Sequence, residues 1–96
     1  MHAVMRSYSG KGAKELAGIL EKNKAEIEKL IRSVKGFVSY SLVHTHDGVF
    51  SVSVFQDKYG ADESIQIARD WIRWNAKDTG ATAPLVWEGP VILQLK

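Results

Sequence analysis

Two histidines, His44 and His46, stand two residues apart in a stretch that alternates Val, Phe, Tyr and Ser. On an extended chain both rings then point to one face, a spacing that can bring two imidazoles to one metal ion. The pattern offers no third ligand, since Asp47 falls in a turn and the chain has no cysteine. No metal site is therefore expected, and histidines at a hairpin tip are ordinarily solvated. If His44 lies further in, it is the candidate catalytic residue, a general base whose unperturbed pKa of about 6.5 sits close to working pH.

The candidate substrate-binding residues are Arg6, Tyr40, Trp71 and Asn75. Trp71 and Asn75 are one helical turn apart, so together they could stack on an aromatic molecule and hydrogen-bond to it. The plainer reading makes Trp71 core and Asn75 a polar group near a helix end. Trp74 is displaced towards the polar arc, which suits a dimer contact or a cavity rim. Arg6 shares a strand face with Tyr8, and a buried arginine needs a partner. That partner is either an acid such as Glu88 or an anionic ligand. Ser39, Ser41, Ser51 and Ser53 lie inside the hairpin, where they fill small spaces or meet a ligand's hydroxyls. No Ser-His-Asp spacing, phosphate-cradling glycine loop or paired-carboxylate arrangement is present, so hydrolase and nucleotide-enzyme chemistry find no support.

The elements that must position these residues follow from periodicity. A first strand spans about His2 to Tyr8, broken by Ser9-Gly10-Lys11-Gly12. From Ala13 to Val34 apolar residues recur at three and four, with Asn23 as a polar exception, which predicts one amphipathic helix ended by Lys35 and Gly36. Phe37 to Gln56 reads as a β-hairpin turning at Asp47-Gly48, a dipeptide suited to a type I′ turn. That turn pairs His46 with Val49, His44 with Ser51, Leu42 with Ser53 and Tyr40 with Phe55, leaving large apolar groups on both faces. Asp57 to Gly60 is turn chemistry, and a second helix runs from about Ala61 to Lys77. Its core stripe is Ala61, Ile65, Ala68, Ile72 and Ala76, flanked by Ile67, Trp71 and Trp74, while Gln66, Arg69, Asp70, Arg73 and Lys77 form a solvated arc. Thr79 to Pro84 is a loop, and Leu85 to Leu95 a last strand interrupted at Gly89-Pro90.

The order β-α-β-β-α-β predicts an α+β ferredoxin-like fold in one domain over residues 1–96, with strands in the order 4-1-3-2 and helices on one face. The other face, with its share of apolar hairpin residues, needs a cover, and a partner's sheet would supply it as a two-subunit barrel. Ninety-six residues bury a modest core, so such association would help. Thirteen basic and eleven acidic residues are interspersed, which gives no basic block for nucleic acid. No apolar run has the length of a membrane span, and the start MHAVMRSY has no apolar core of signal-peptide length. With no cysteine to tie it to an oxidising compartment, the expected location is the cytoplasm.

The first strand HAVMRSY, the segment VKGFVSYSLV, the strand VFSVSVFQD and the helix ESIQIARDWIRWN together resemble the dimeric α/β-barrel superfamily, and within it the antibiotic-biosynthesis-monooxygenase-like domains. KGFVSY is similar to that family's entry to the second strand, and SVSVFQD to its exit from the third. The resemblance implies a homodimer and a cavity between sheet and helices suited to flat aromatic ligands such as anthrones, quinols or haem. It also implies oxygenation with no cofactor, in which an acidic phenol-type substrate loses a proton and its carbanion meets dioxygen directly. The haem-degrading branch joins an Asn on the first strand, a Trp on the second helix and a following His. Trp71 or Trp74 matches the Trp, but the first strand has no Asn and no His follows Trp74, so haem degradation is not implied. The expected function is cofactor-independent monooxygenation of an aromatic or polyketide-like molecule. The alternatives are a non-catalytic or stress-associated binding protein, and an oxygen-independent isomerase or decarboxylase. A buried His44 at the cavity would favour an enzyme, and a solvated His44 with a filled core around Trp71 a binding or structural role.

Overall fold

The computed structural model describes residues 1–95. A four-stranded antiparallel sheet in the order β2-β3-β1-β4 carries helices on one face, which is the expected 4-1-3-2 arrangement read from the other edge. The strands are β1 (His2–Ser9), β2 (Phe37–His44), β3 (Gly48–Phe55) and β4 (Leu85–Pro90), and the helices α1 (Ala13–Lys22), α2 (Lys24–Arg32) and α3 (Lys58–Asn75). Val4 and Tyr8 of β1 and Val49 and Phe55 of β3 pack beneath Leu16, Leu20, Ile27, Ile31 and Trp71 from the three helices in one core. Strand parity explains this face, because even positions of β1 and odd positions of β3 lie on the same side of the sheet.

The single long helix expected from Ala13 to Val34 is instead two, and the polar exception is where it breaks. Asn23 leaves helical geometry at φ −110° and ψ 22°, while its side-chain amide donates to the Ile19 carbonyl at 2.8 Å. An asparagine that competes for its own helix's carbonyl ends the turn there. The stripe continues across the break, with Leu16 and Leu20 of α1 and Ile27 and Ile31 of α2 all buried. α2 ends at Arg32 with Ser33 as its C-cap, short of the end expected at Lys35 and Gly36, and Gly36, at φ +85°, makes the turn into β2 instead.

The hairpin register also differs from the expected one, by two residues. His44 pairs with Val49, Leu42 with Ser51 and Tyr40 with Ser53. Thr45 N–H donates to the Gly48 carbonyl at 2.9 Å, so the corners are His46 and Asp47. Neither has a positive φ, and Gly48 has none either, which excludes a type I′ turn. Gly48 belongs to β3, opposite Ser9, where a Cβ would collide with the Tyr8 carbonyl oxygen and stand 3.0 Å from Ala13 Cβ. Glycine is required here by the close approach of β1. Because the slip is even, every residue keeps the face assigned to it.

Helix α3 starts a turn earlier than its apolar pattern suggests, since the Asp57 carboxylate accepts from Gly60 N–H at 3.1 Å and caps it. It ends at Asn75, and a 3₁₀ turn covers Lys77–Thr79. The last strand stops at Pro90 where continuation to Leu95 was expected, because proline cannot donate to the ladder. No helix among the described residues is long and apolar enough to cross a membrane.

Candidate ligand cavity

Beneath α2 and α3 the sheet is not fully covered. Leu20 of α1, Ile27, Leu30 and Ile31 of α2, and Ile67, Trp71 and Ile72 of α3 arch over Arg6, Tyr8, Tyr40, Leu42, Val49 and Ser51 of the sheet, leaving a slot of about 40 Å³. That is room for about three waters, at 10–15 Å³ each. The slot shares Ile27, Ile31, Tyr40 and Leu42 with an opening of about 290 Å³ between α2 and β2. Tyr40 and Leu42 stand between the two spaces. The roof is apolar, and the polar atoms lie along the sheet.

The floor is organised by the central strand. Arg6 Nη2 donates to Tyr8 Oη at 2.9 Å, and the guanidinium carbon lies 5.6 Å from the Tyr8 ring centroid. Arg6 Nε is buried and has no hydrogen-bond acceptor among the described residues. The expected Glu88 partner is engaged elsewhere, by His2 Nε2 at 2.8 Å and Lys58 Nζ at 3.8 Å. Arg6 on β1 aligns with Val86 of β4, two pairs away from Glu88, which stands opposite Val4. Among the described residues no acid pairs with Arg6.

Burial pushes the Tyr8 phenol above its ordinary value, against the opposing pull of the Arg6 charge and hydrogen bond and of the Arg69 charge. Tyr40 is raised in the same way, with Arg6 and a hydrogen bond to Ser51 opposing. Desolvation outweighs the cation in both cases. At neutral pH the floor thus presents two neutral hydroxyls and one cation, a set that donates hydrogen bonds to an oxygen and stabilises negative charge on it.

Trp71 forms part of the roof, 9% exposed, and its indole N–H donates to Glu26 Oε2 at 2.7 Å. This bond ties α3 to α2 over the slot and fixes the plane of the ring.

Three of the expected site residues, Arg6, Tyr40 and Trp71, thus meet around one cavity. His44 does not. It is exposed at the end of β2, with Nδ1 3.3 Å from Glu21 Oε1 in the last turn of α1, and it does not line the slot. Asn75 is also elsewhere. Its amide donates to the Trp71 carbonyl at 2.9 Å, and its side chain lines a separate hollow with Glu15, Ile19 and Trp74. Trp74 itself is 78% exposed. Ser51, one of the hairpin serines expected to fill small spaces or meet a ligand's hydroxyls, lines the cavity, as does Tyr8, which the sequence placed on Arg6's face without naming it a ligand contact. No group of three or more His, Asp or Glu residues among the described residues could hold a metal.

No family model matches the chain, and no curated protein matches it in sequence. Solved structures do. A monooxygenase from the gene ActVA-Orf6 of Streptomyces coelicolor, solved with the ligand nanaomycin D, aligns over 99% of this chain and 90% of its own at 17% identity and TM-score 0.64. A dimeric ferredoxin-like protein from an uncultured marine organism aligns over 99% and 95% at 10% identity and TM-score 0.66. SnoaB, a cofactor-independent oxygenase from Streptomyces nogalater, aligns over 98% and 93% at 14% identity and TM-score 0.57. The chain therefore has the ferredoxin-like fold of these proteins, over nearly its whole length. At such identities the likeness is one of fold, and a fold hosts many activities.

Proposed function

We propose that the slot binds a planar aromatic or polyketide-like molecule and that the protein oxygenates it with no cofactor. The observation that carries this reading is the cavity's division into an apolar roof and a floor of Arg6, Tyr8, Tyr40 and Ser51. Such a site accepts a flat ring and meets its oxygen atoms along one edge. Two proteins of the same fold, one named a monooxygenase and one a cofactor-independent oxygenase, support the choice of chemistry.

In this reading a substrate phenol lies with its oxygen against Arg6 and the tyrosine hydroxyls. The guanidinium lowers the energy of the anion left when the substrate loses its proton, and water at the opening beside β2 takes that proton. The substrate supplies the electrons. Its carbanion forms a C–O bond to dioxygen, and the resulting peroxide loses water, so that a CH₂ group and O₂ become a carbonyl and H₂O. Tyr8 and Tyr40, kept protonated by burial, donate hydrogen bonds to the oxygen that carries the charge.

The uncovered sheet face fits a second copy of the chain. Val43, Phe50, Ser7 and Leu85 form one row across it, and Val52, Met5 and Trp87 the next, with Leu85 60% and Trp87 54% exposed. A contiguous apolar face of this kind marks an interface. A dimeric protein of the same fold supports a homodimer.

A second reading is a binding protein without catalysis, favoured by one observation. The residues lining the slot include no His, Asp or Glu to accept a proton. A thermal-shift panel of anthrones, quinols and related planar aromatics tests both. Ligand at 100 times its Kd adds about 2.7 kcal/mol to the folded state, roughly 11–22 °C for a domain of this size. Trp71→Phe should weaken the shift. Oxygen uptake stoichiometric with carbonyl product, with nothing else added, supports the oxygenase. Binding without uptake supports the second reading, and no binding across the panel refutes both.

A further inference from the structure

On its β4 side the slot adjoins a hollow of about 390 Å³ that shares Arg6, Tyr8 and Ile72 with it. Two more arginines line this mouth, Arg69 and Arg73, one turn apart on α3. Like charges at that spacing disfavour a helix, and the mouth brings both to the side of Arg6. None of the three has an ion-pair partner among the described residues, whose carboxylates engage His2, Arg32, His44 and Lys58. Asp70, the acid next to Arg69, accepts from Gln66 at 2.9 Å. No lining residue of the mouth is acidic, and the rest of its wall is apolar, with Ile65, Ala83, Pro84 and Val86. Three unpaired guanidinium groups converge on one apolar hollow, and the innermost keeps a buried donor with no acceptor.

We propose that the cavity's ligand is an aromatic carboxylic acid, with its carboxylate seated on Arg6, Arg69 and Arg73 in this mouth and its ring system running under Trp71. The proposal rests on the reading of the slot as an aromatic-ligand site and adds the ligand's charge and direction of entry. A guanidinium presents parallel donors that match a carboxylate's two oxygens. Arg6 rises from the central strand as a fixed anchor, whereas Arg69 and Arg73 are exposed and free to swing onto the anion as it arrives. The apolar wall selects an anion that carries a ring, because a free inorganic ion gains nothing from it. With the carboxylate at Arg6, the attached ring reaches Tyr40 and the underside of Trp71, where the proposed chemistry takes place.

The test is calorimetric titration at pH 7 with anthraquinone-2-carboxylate and its primary amide, matched in shape and different in charge. The proteins are wild type, the double variant Arg69→Gln/Arg73→Gln, and Arg6→Met. Substituting the exposed pair leaves the core untouched, and unchanged thermal unfolding confirms folding. The acid should bind wild type at least about tenfold tighter than the amide, the gap shrinking as salt screens the exposed charges. In the double variant and in Arg6→Met the gap should fall to about threefold or less, with amide affinity retained in the double variant. Equal affinity of acid and amide for wild type would overturn the proposal and leave the aromatic reading standing. An undiminished preference for acid in the variants would place the anion elsewhere and also overturn it. Inorganic phosphate displacing the acid better than benzoate does would overturn the choice of carboxylate. If neither compound binds, the aromatic reading fails, and the proposal with it.

Discussion

Replacing Arg6 with methionine should change the protein's stability by no more than about 1.5 kcal/mol in either direction, although Arg6 lies on the central strand beneath the core. The buried Nε has no acceptor, and an unsatisfied buried donor costs about 1–3 kcal/mol, more when charged. On the other side stands the 2.9 Å bond to Tyr8 Oη, worth about 1 kcal/mol net. The guanidinium's position 5.6 Å from the Tyr8 ring centroid adds about 0.5–1 kcal/mol. Methionine keeps an unbranched apolar stem in the same space and adapts to irregular surroundings. The balance runs from about 1 kcal/mol of destabilisation to about 1.5 kcal/mol of stabilisation, equivalent to a Tm change between a fall of roughly 8 °C and a rise of roughly 12 °C. Urea unfolding followed by tryptophan fluorescence measures it, provided that the m-value is unchanged. A structural arginine with a buried acidic partner would behave in the opposite way, since breaking such a pair costs about 3–5 kcal/mol. A loss of that size would refute the assignment of Arg6 to a ligand.

Four further outcomes follow from the same structure. Gly48→Asn and Gly48→Ala should each lose about 2 kcal/mol or more in thermal unfolding, because any Cβ there meets the Tyr8 carbonyl. A tolerated asparagine would instead place Gly48 at a left-handed turn position. Burial raises both Tyr8 and Tyr40 above 10.0, so the unfolded chain releases protons first. Stability should be insensitive to these groups below about pH 10 and fall as pH rises past it, with a smaller fall in Tyr40→Phe, as read from urea midpoints. Stability that rises through that range would contradict the burial of both phenols. Asp57→Ala should cost about 1 kcal/mol of urea stability by uncapping α3. Trp87→Glu should turn a dimer into a monomer in sedimentation velocity while leaving the core intact, and a wild type that sediments as a monomer at micromolar concentration would remove the dimer.

Much of this arrangement was legible before any coordinates, because periodicity reports which side of an element is buried. Alternation along HAVMRSY placed Val4, Arg6 and Tyr8 on one face, and the order of elements led to the strand order. Errors fell where a local preference met a constraint from elsewhere in the chain. Asn23 looked like a blemish on a continuous stripe, but its side chain could end a helix because both halves still had a core to pack against. Asp47-Gly48 has the composition of a tight turn, yet β1 passes so close to Gly48 that the glycine was needed inside the strand.

The candidate site divided along the same line. Residue types alone marked Arg6, Tyr40 and Trp71 as capable of holding an aromatic ligand, and strand parity put Arg6 beside Tyr8. Sequence spacing could not say that His44 lies outside the slot, beside the end of α1, or that Asn75 faces a separate hollow, since both depend on where an element ends relative to its neighbours. Nor could it lift Arg69 and Arg73 from a solvated arc of α3 to the mouth of a cavity, which needed α3 to lie over β1 beside the loop that leads into β4. Local spacing sets the face on which a side chain appears, and it did so here for strands and helices alike. Which faces meet, and so which charges share one hollow, is settled only when distant segments pack, because burial and electrostatic pairing act through space.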